Sequence, residues 1–84
     1  MENMLYENII DVALYCYNRY RDFEDSANYN SRSKFHYDRM LSREQSASAE
    51  AYRNIFIKMY DSILKPLGIT EKVDKVAEEV LTMG

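Results

Sequence analysis

The chain has 84 residues, 46% hydrophobic and 30% charged, with a formal charge of −3. That composition excludes a disordered segment, which would lack the apolar residues for a core, and a molecule drawn as a whole to nucleic acid or anionic lipid. The one cysteine, Cys16, rules out an internal disulfide framework, so a reducing compartment and a cytoplasmic protein are expected.

The first 65 residues contain neither glycine nor proline; Pro66, Gly68 and Gly84 are the only ones. Helix is therefore permitted wherever the apolar spacing supports it. Glu2, Glu7 and Asp11 interrupt the apolar N-terminal region, so neither an export signal nor a membrane span is expected. The spacing predicts an all-α fold in one domain over residues 1–84. It would be a three-helix bundle, or a long helical hairpin with a short C-terminal helix, with helices at about 3–24, 33–64 and 70–82.

In helix 1, Leu5, Ile9, Val12, Cys16, Tyr20 and Phe23 recur at steps of four and three, and Tyr6, Ile10, Ala13 and Tyr17 form a second stripe beside them. Together they make an apolar face wider than one neighbour covers, so helix 1 is expected to touch two other helices of its chain, or one helix and a second subunit. The opposite arc carries Glu7, Asn8, Asp11, Asn18, Arg19 and Asp22, with Tyr15 among them. An aromatic in a polar arc is either a tolerated tyrosine or an interface anchor.

Residues 25–33 are rich in Ser, Asn and Asp and read as the first connection. In helix 2, Tyr37, Leu41, Ser48, Tyr52, Ile55, Met59 and Ile63 share one angular sector, predicted to face the core. The middle of this stripe is small and polar, from Gln45 to Ala49. It is either a close helix crossing or a break capped by Ser42 and Gln45, and the continuous helix is preferred because the same face resumes in register. Pro66 and Gly68 end helix 2, with Lys65, the residue before the proline, turned away from helical geometry. Thr70 can cap helix 3, which lays Ile69, Val73, Val76, Ala77 and Val80 on one face.

No catalytic, metal or nucleotide signature is present, so an enzyme is not expected and no cofactor or metal is implied. One His and one Cys do not make a zinc site, and Asp22, Glu24 and Asp25 read as a solvated helix end. Cys16 points toward the predicted core and His36 away from it, so nothing activates a nucleophile. The carboxylate pairs Glu7 with Asp11, and Glu78 with Glu79, lie on polar faces with no apolar pocket to shift a pKa. A chain with two glycines so placed has no phosphate loop.

The less ordinary feature is a basic ridge. Arg32, His36, Arg39 and Arg43 project within about 60° of one another at 100° per residue, flanked by Lys34, Phe35 and Tyr37. It is either a solvated face pairing with carboxylates such as Glu7, Asp11 or Asp22, or a binding surface.

The function expected from these features is a small non-enzymatic intracellular protein that binds a larger protein partner as regulator, adaptor or inhibitor. Arg32, His36, Arg39, Arg43 and Tyr15 are the candidate contacts. Compact acidic proteins of bacteriophages and mobile elements, including inhibitors of host nucleases, have this profile. One alternative is a helical nucleic-acid-binding protein using the same ridge. The other is an enzyme with a pocket between helices 1 and 2 at Tyr17, Tyr20, Tyr52 and Tyr60. A homodimer through helix 1 or the small residues at 46–51 is compatible with each.

Overall fold

A computed structural model describes the backbone of residues 2–82 and the side chains of residues 4–82. The fold is all-α, with no strand among the described residues. Helices α1 (Glu2–Ser31) and α2 (His36–Met59) pack as an antiparallel hairpin. The second helix runs on through a π turn (Tyr60–Leu64) and a last α turn (Lys65–Leu67), after which α3 (Asp74–Thr82) folds back along the hairpin. The molecule measures 51 × 24 × 16 Å. No helix among the described residues is long and apolar enough to cross a membrane.

The hairpin seam is built from residues at a step of seven in which small side chains face large ones. Ala13, Tyr20 and Ala27 are buried on α1; Ser42, Ala49 and Phe56 are buried on α2. The Ser42 Oγ donates a 2.7 Å hydrogen bond to the Ala27 carbonyl, and moving seven residues in opposite directions from that pair joins Tyr20 with Ala49 and Ala13 with Phe56. Each large side chain thus meets a small one, which lets the backbones approach closely. A seven-residue repeat is the stripe that keeps two long helices in continuous contact.

This seam corrects the expected core face of α2. Relative to the expected sector it is turned by about one residue: Tyr37 and Ile55 are exposed, whereas Ser42, Ala49, Phe56 and Leu64 are buried. Leu5 and Val12 on α1 are likewise exposed. Continuing the series from Phe56 would reach Ile63, yet Leu64 is the buried residue at 0% exposure while Ile63 is 38% exposed. The π turn explains the difference, since its wider turn adds one residue before the stripe resumes.

The first connection also differs from expectation. Residues 25–31 continue α1, and Arg32 to Phe35 alone make the turn. Tertiary contacts override the turn preference of Ser and Asn here: Ala27 is buried in the seam, and Asn30 Nδ2 donates to Gln45 Oε1 at 2.8 Å. The same bonds account for Ser42 and Gln45, which bind α1 across the seam instead of capping a break, and α2 is continuous through them.

Lys65 keeps helical dihedrals and the helix continues through Pro66 to Leu67, three residues beyond the expected end. Gly68 then adopts φ +69°, its N–H bonding to the Lys65 carbonyl and the Ile69 N–H to the Leu64 carbonyl, each at 3.0 Å. That pair of bonds is a Schellman motif, in which a left-handed residue satisfies the last carbonyls. The helix expected from residue 70 starts at Asp74: the Thr70 carbonyl accepts the N–H groups of Val73 and Asp74, so residues 70–73 form a turn. As the spacing requires, Val73, Ala77 and Val80 are buried, with Ile69 and Val76 packed beside them.

Candidate interaction surfaces

The tip of the hairpin gathers most of the predicted contact residues. Its turn is held by Ser33, whose Oγ accepts the Phe35 N–H at 3.1 Å and donates to Asp38 Oδ2 at 2.7 Å. Phe35, with extended dihedrals, then starts α2. Arg32 therefore sits in the connection, not on α2 as expected, while His36, Arg39 and Arg43 follow on exposed positions of the first turns.

Around these cations the tip displays aromatic rings. Tyr29, Phe35 and Tyr37 are 72 to 81% exposed, and with Arg32, Ser33 and Asp38 the first two border an open depression of about 480 Å³. Phe35 and Tyr37 were visible beside the ridge in the sequence. Tyr29 was not, because it lies in the segment read as a connection.

Residues 29–43 hold four cations, Arg32, Lys34, Arg39 and Arg43, against the one carboxylate of Asp38; this net +3 leaves −6 for the rest of a chain that totals −3. The ion pairs found among the described residues lie elsewhere, at Arg21 with Glu24 and Glu79 and at Lys65 with Asp61. Glu7, Asp11 and Asp22 do not pair with the ridge. Among the described residues, the arginines of the tip thus present charge outward with no ion-pair partner.

Tyr15 stands apart from this patch. It is about 24 Å along α1 from Ser31 at 1.5 Å per residue, and its ring meets Tyr52 edge-on with centroids 6.4 Å apart. Beside it the Arg19 guanidinium lies over Phe23 at 4.7 Å and near Tyr52 at 5.9 Å, while Phe23 and Tyr52 stack at 5.8 Å. Arg19 Nε is enclosed with no hydrogen-bond partner among the described residues; the ring faces that enclose it supply the compensating attraction. From Phe23 the same side of the hairpin continues through Cys16, Val12, Ile9 and Leu5, and from Tyr52 through Ile55, Met59 and Ile63.

The opposite side is closed by α3. Tyr17 donates to Glu79 Oε2 and Tyr60 to Asp74 Oδ1, both at 2.7 Å; Arg21 pairs with Glu79 at 3.3 Å, and Arg53 reaches the Val80 carbonyl at 3.4 Å. Burial first, then the Glu79 carboxylate, raises the Tyr17 pKa, whereas for Tyr60 the bond to Asp74 is the larger cause. Tyr20 in the seam is pushed up to about 12, chiefly by burial and then by its bond to Glu24. Tyr17 and Tyr60 serve this docking and Tyr52 lies on the other side, so the four tyrosines line no common pocket.

The candidate chemistry remains dispersed. Burial raises the pKa of Cys16, which leaves it a thiol packed in the core, and His36 is exposed at the tip. No group of three or more His, Cys, Asp or Glu side chains converges among the described residues. No family model matches the chain, and neither a curated protein nor a solved structure matches it.

Proposed function

We propose that this chain is a non-enzymatic binding protein that docks the tip of its hairpin on an acidic surface of a larger protein, acting as regulator, adaptor or inhibitor. The observation that carries the reading is the tip itself: three exposed aromatic rings set among four cations that have no ion-pair partner among the described residues, on a body of opposite charge. Burying those rings would lower the free energy of a complex, and they contribute no core contact to the hairpin. Tyrosine and arginine are the residue types that dominate interface energetics. Arginine forks pair bidentately with carboxylates, and the single carboxylate among them, Asp38, accepts a bond from Ser33. A protein is favoured over nucleic acid because the −6 body would repel a phosphate backbone extending past the tip. Compact acidic inhibitors encoded by mobile elements are one class with this profile.

Pull-down from a host lysate tests the proposal. The expected result is a partner captured by the native chain at micromolar concentration and lost with both Arg39→Glu/Arg43→Glu and Phe35→Ala/Tyr37→Ala. A chain that captures nothing, or whose partner is indifferent to both variants, refutes it. Nucleic acid is the competing occupant of the same tip. Binding to oligonucleotides at low salt that weakens steeply as salt rises would favour it, and no binding there removes it.

A further inference from the structure

Resting on that reading of the tip, we infer that its partner presents a linear acidic segment, a tail or a loop, and not a flat folded face. The segment sets one large apolar side chain in the depression bordered by Tyr29 and Phe35. It then runs along α2 with alternate carboxylates on Arg39 and Arg43.

The dimensions of the molecule argue for a segment. The tip is the end of a rod 51 Å long whose cross-section measures 24 × 16 Å, about 380 Å². A flat partner pressed on that end covers less than half of the roughly 800 Å² that each side loses in a standard interface. A chain that enters the depression and continues down the side of α2 escapes that limit. The depression itself, of about 480 Å³, falls within the roughly 300 to 1,000 Å³ of clefts that receive small groups. Tyr29 at 81% and Phe35 at 72% exposed offer their rings to an inserted side chain, whereas a planar surface would leave the recess filled with water.

Beyond the depression the cations are spaced for a regular chain. Arg39 follows Phe35 by four residues and Arg43 follows Arg39 by four, and all three are exposed. The series therefore descends one side of α2 in steps of about 6 Å. An extended chain advances about 3.3 Å per residue and points alternate side chains the same way, so every second residue recurs at about the same step. The match gives the segment a pattern: an apolar anchor, then acidic residues two and four positions away. Charge complementarity fixes the sign, since residues 29–43 carry net +3 and neither Arg39 nor Arg43 has an ion pair among the described residues.

Fluorescence anisotropy with synthetic peptides tests the inference on the full chain at roughly 50 mM salt. The probe is fluorescein-labelled Gly-Ser-Phe-Ser-Glu-Ser-Glu-Ser-Gly, together with the same sequence reversed. One of the two should bind with a Kd of roughly 10 to 100 μM. Replacing its Phe by Ser, or both Glu by Gln, should weaken binding about tenfold or more, and moving both Glu one position toward the anchor should weaken it about threefold. In the protein, Phe35→Ala and Arg39→Glu/Arg43→Glu should each weaken it about tenfold, with helical circular dichroism unchanged. Tyr29→Ala, at the most exposed of the three rings, takes the place of Phe35→Ala should that variant lose helicity. Failure of both peptides to bind at about 1 mM overturns the inference. If lysate capture is then still lost with Arg39→Glu/Arg43→Glu, the tip docks on a folded surface; if capture fails as well, the reading of the tip falls too. Peptide binding indifferent to the anchor, to the position of the glutamates or to the tip variants also overturns the inference. So does tighter binding of a ten-nucleotide oligothymidylate at the same salt, which would give the tip to nucleic acid.

Discussion

The two long sides of the hairpin are made by the same helices and carry comparable apolar stripes, yet one is closed and the other is not. On the closed side Val73, Ala77 and Val80 are driven into the groove, and tyrosine hydroxyls at its edge meet carboxylates of α3. On the other side, among the described residues, the cover is a cluster of rings with Arg19. Periodicity reveals that a face is apolar; it does not say what lies against it.

The adjacent residues Phe56 and Ile55 give the largest contrast between seam and open side. Phe56→Ala should cost about 3 to 5 kcal/mol, enough to unfold much of a chain this small, while Ile55→Ala should cost less than about 1 kcal/mol. Urea denaturation at low protein concentration measures both, and similar costs would mean that the open side is buried in the monomer. Next, Val80→Ala removes two buried methyl groups from α3 and should cost about 2 kcal/mol. If hydrogen exchange then accelerates in α3 but not at Ala13 or Ala49, the third helix is a cover that opens separately from the hairpin.

Ser42→Ala deletes the bond to the Ala27 carbonyl, near the tip where α3 does not reach, and should cost about 1 kcal/mol in the same measurement. The smallest effect is alkaline. Tyr17, Tyr20 and Tyr60 have folded pKa values above the ordinary 10, so the folded state holds their protons longer than the unfolded chain does. Their contribution to stability is complete below pH 10 and is lost as pH rises through the folded values, about 12 for Tyr20. Thermal unfolding should therefore be insensitive to tyrosine ionisation at neutral pH and fall between pH 10 and 12. Tyr20→Phe should flatten part of that fall.

Much of the architecture was legible because its signals are local: the absence of Gly and Pro before Pro66, the stop at Gly68, and the valine face of α3. The seam was not, because four of its six residues, Ala13, Ala27, Ser42 and Ala49, have small side chains that carry little hydrophobic signal and matter only when a second helix approaches. The larger residues that dominate the pattern, such as Leu5, Val12 and Ile55, flank the seam and drew the reading toward the open side. Arg39, His36 and Arg43 could be placed together from spacing alone, since all three fall on α2. Arg32 and Tyr29 could not, because their positions depend on where α1 stops, and contacts across the seam decide that.

One extra residue in the π turn between Tyr60 and Leu64 has a reach far beyond its own bonds. It advances the phase of everything after it by about 100°, and so sets the direction in which the chain leaves at Gly68. The turn thereby keeps Leu64 inside just before the chain reverses and Val73, Ala77 and Val80 return to the hairpin.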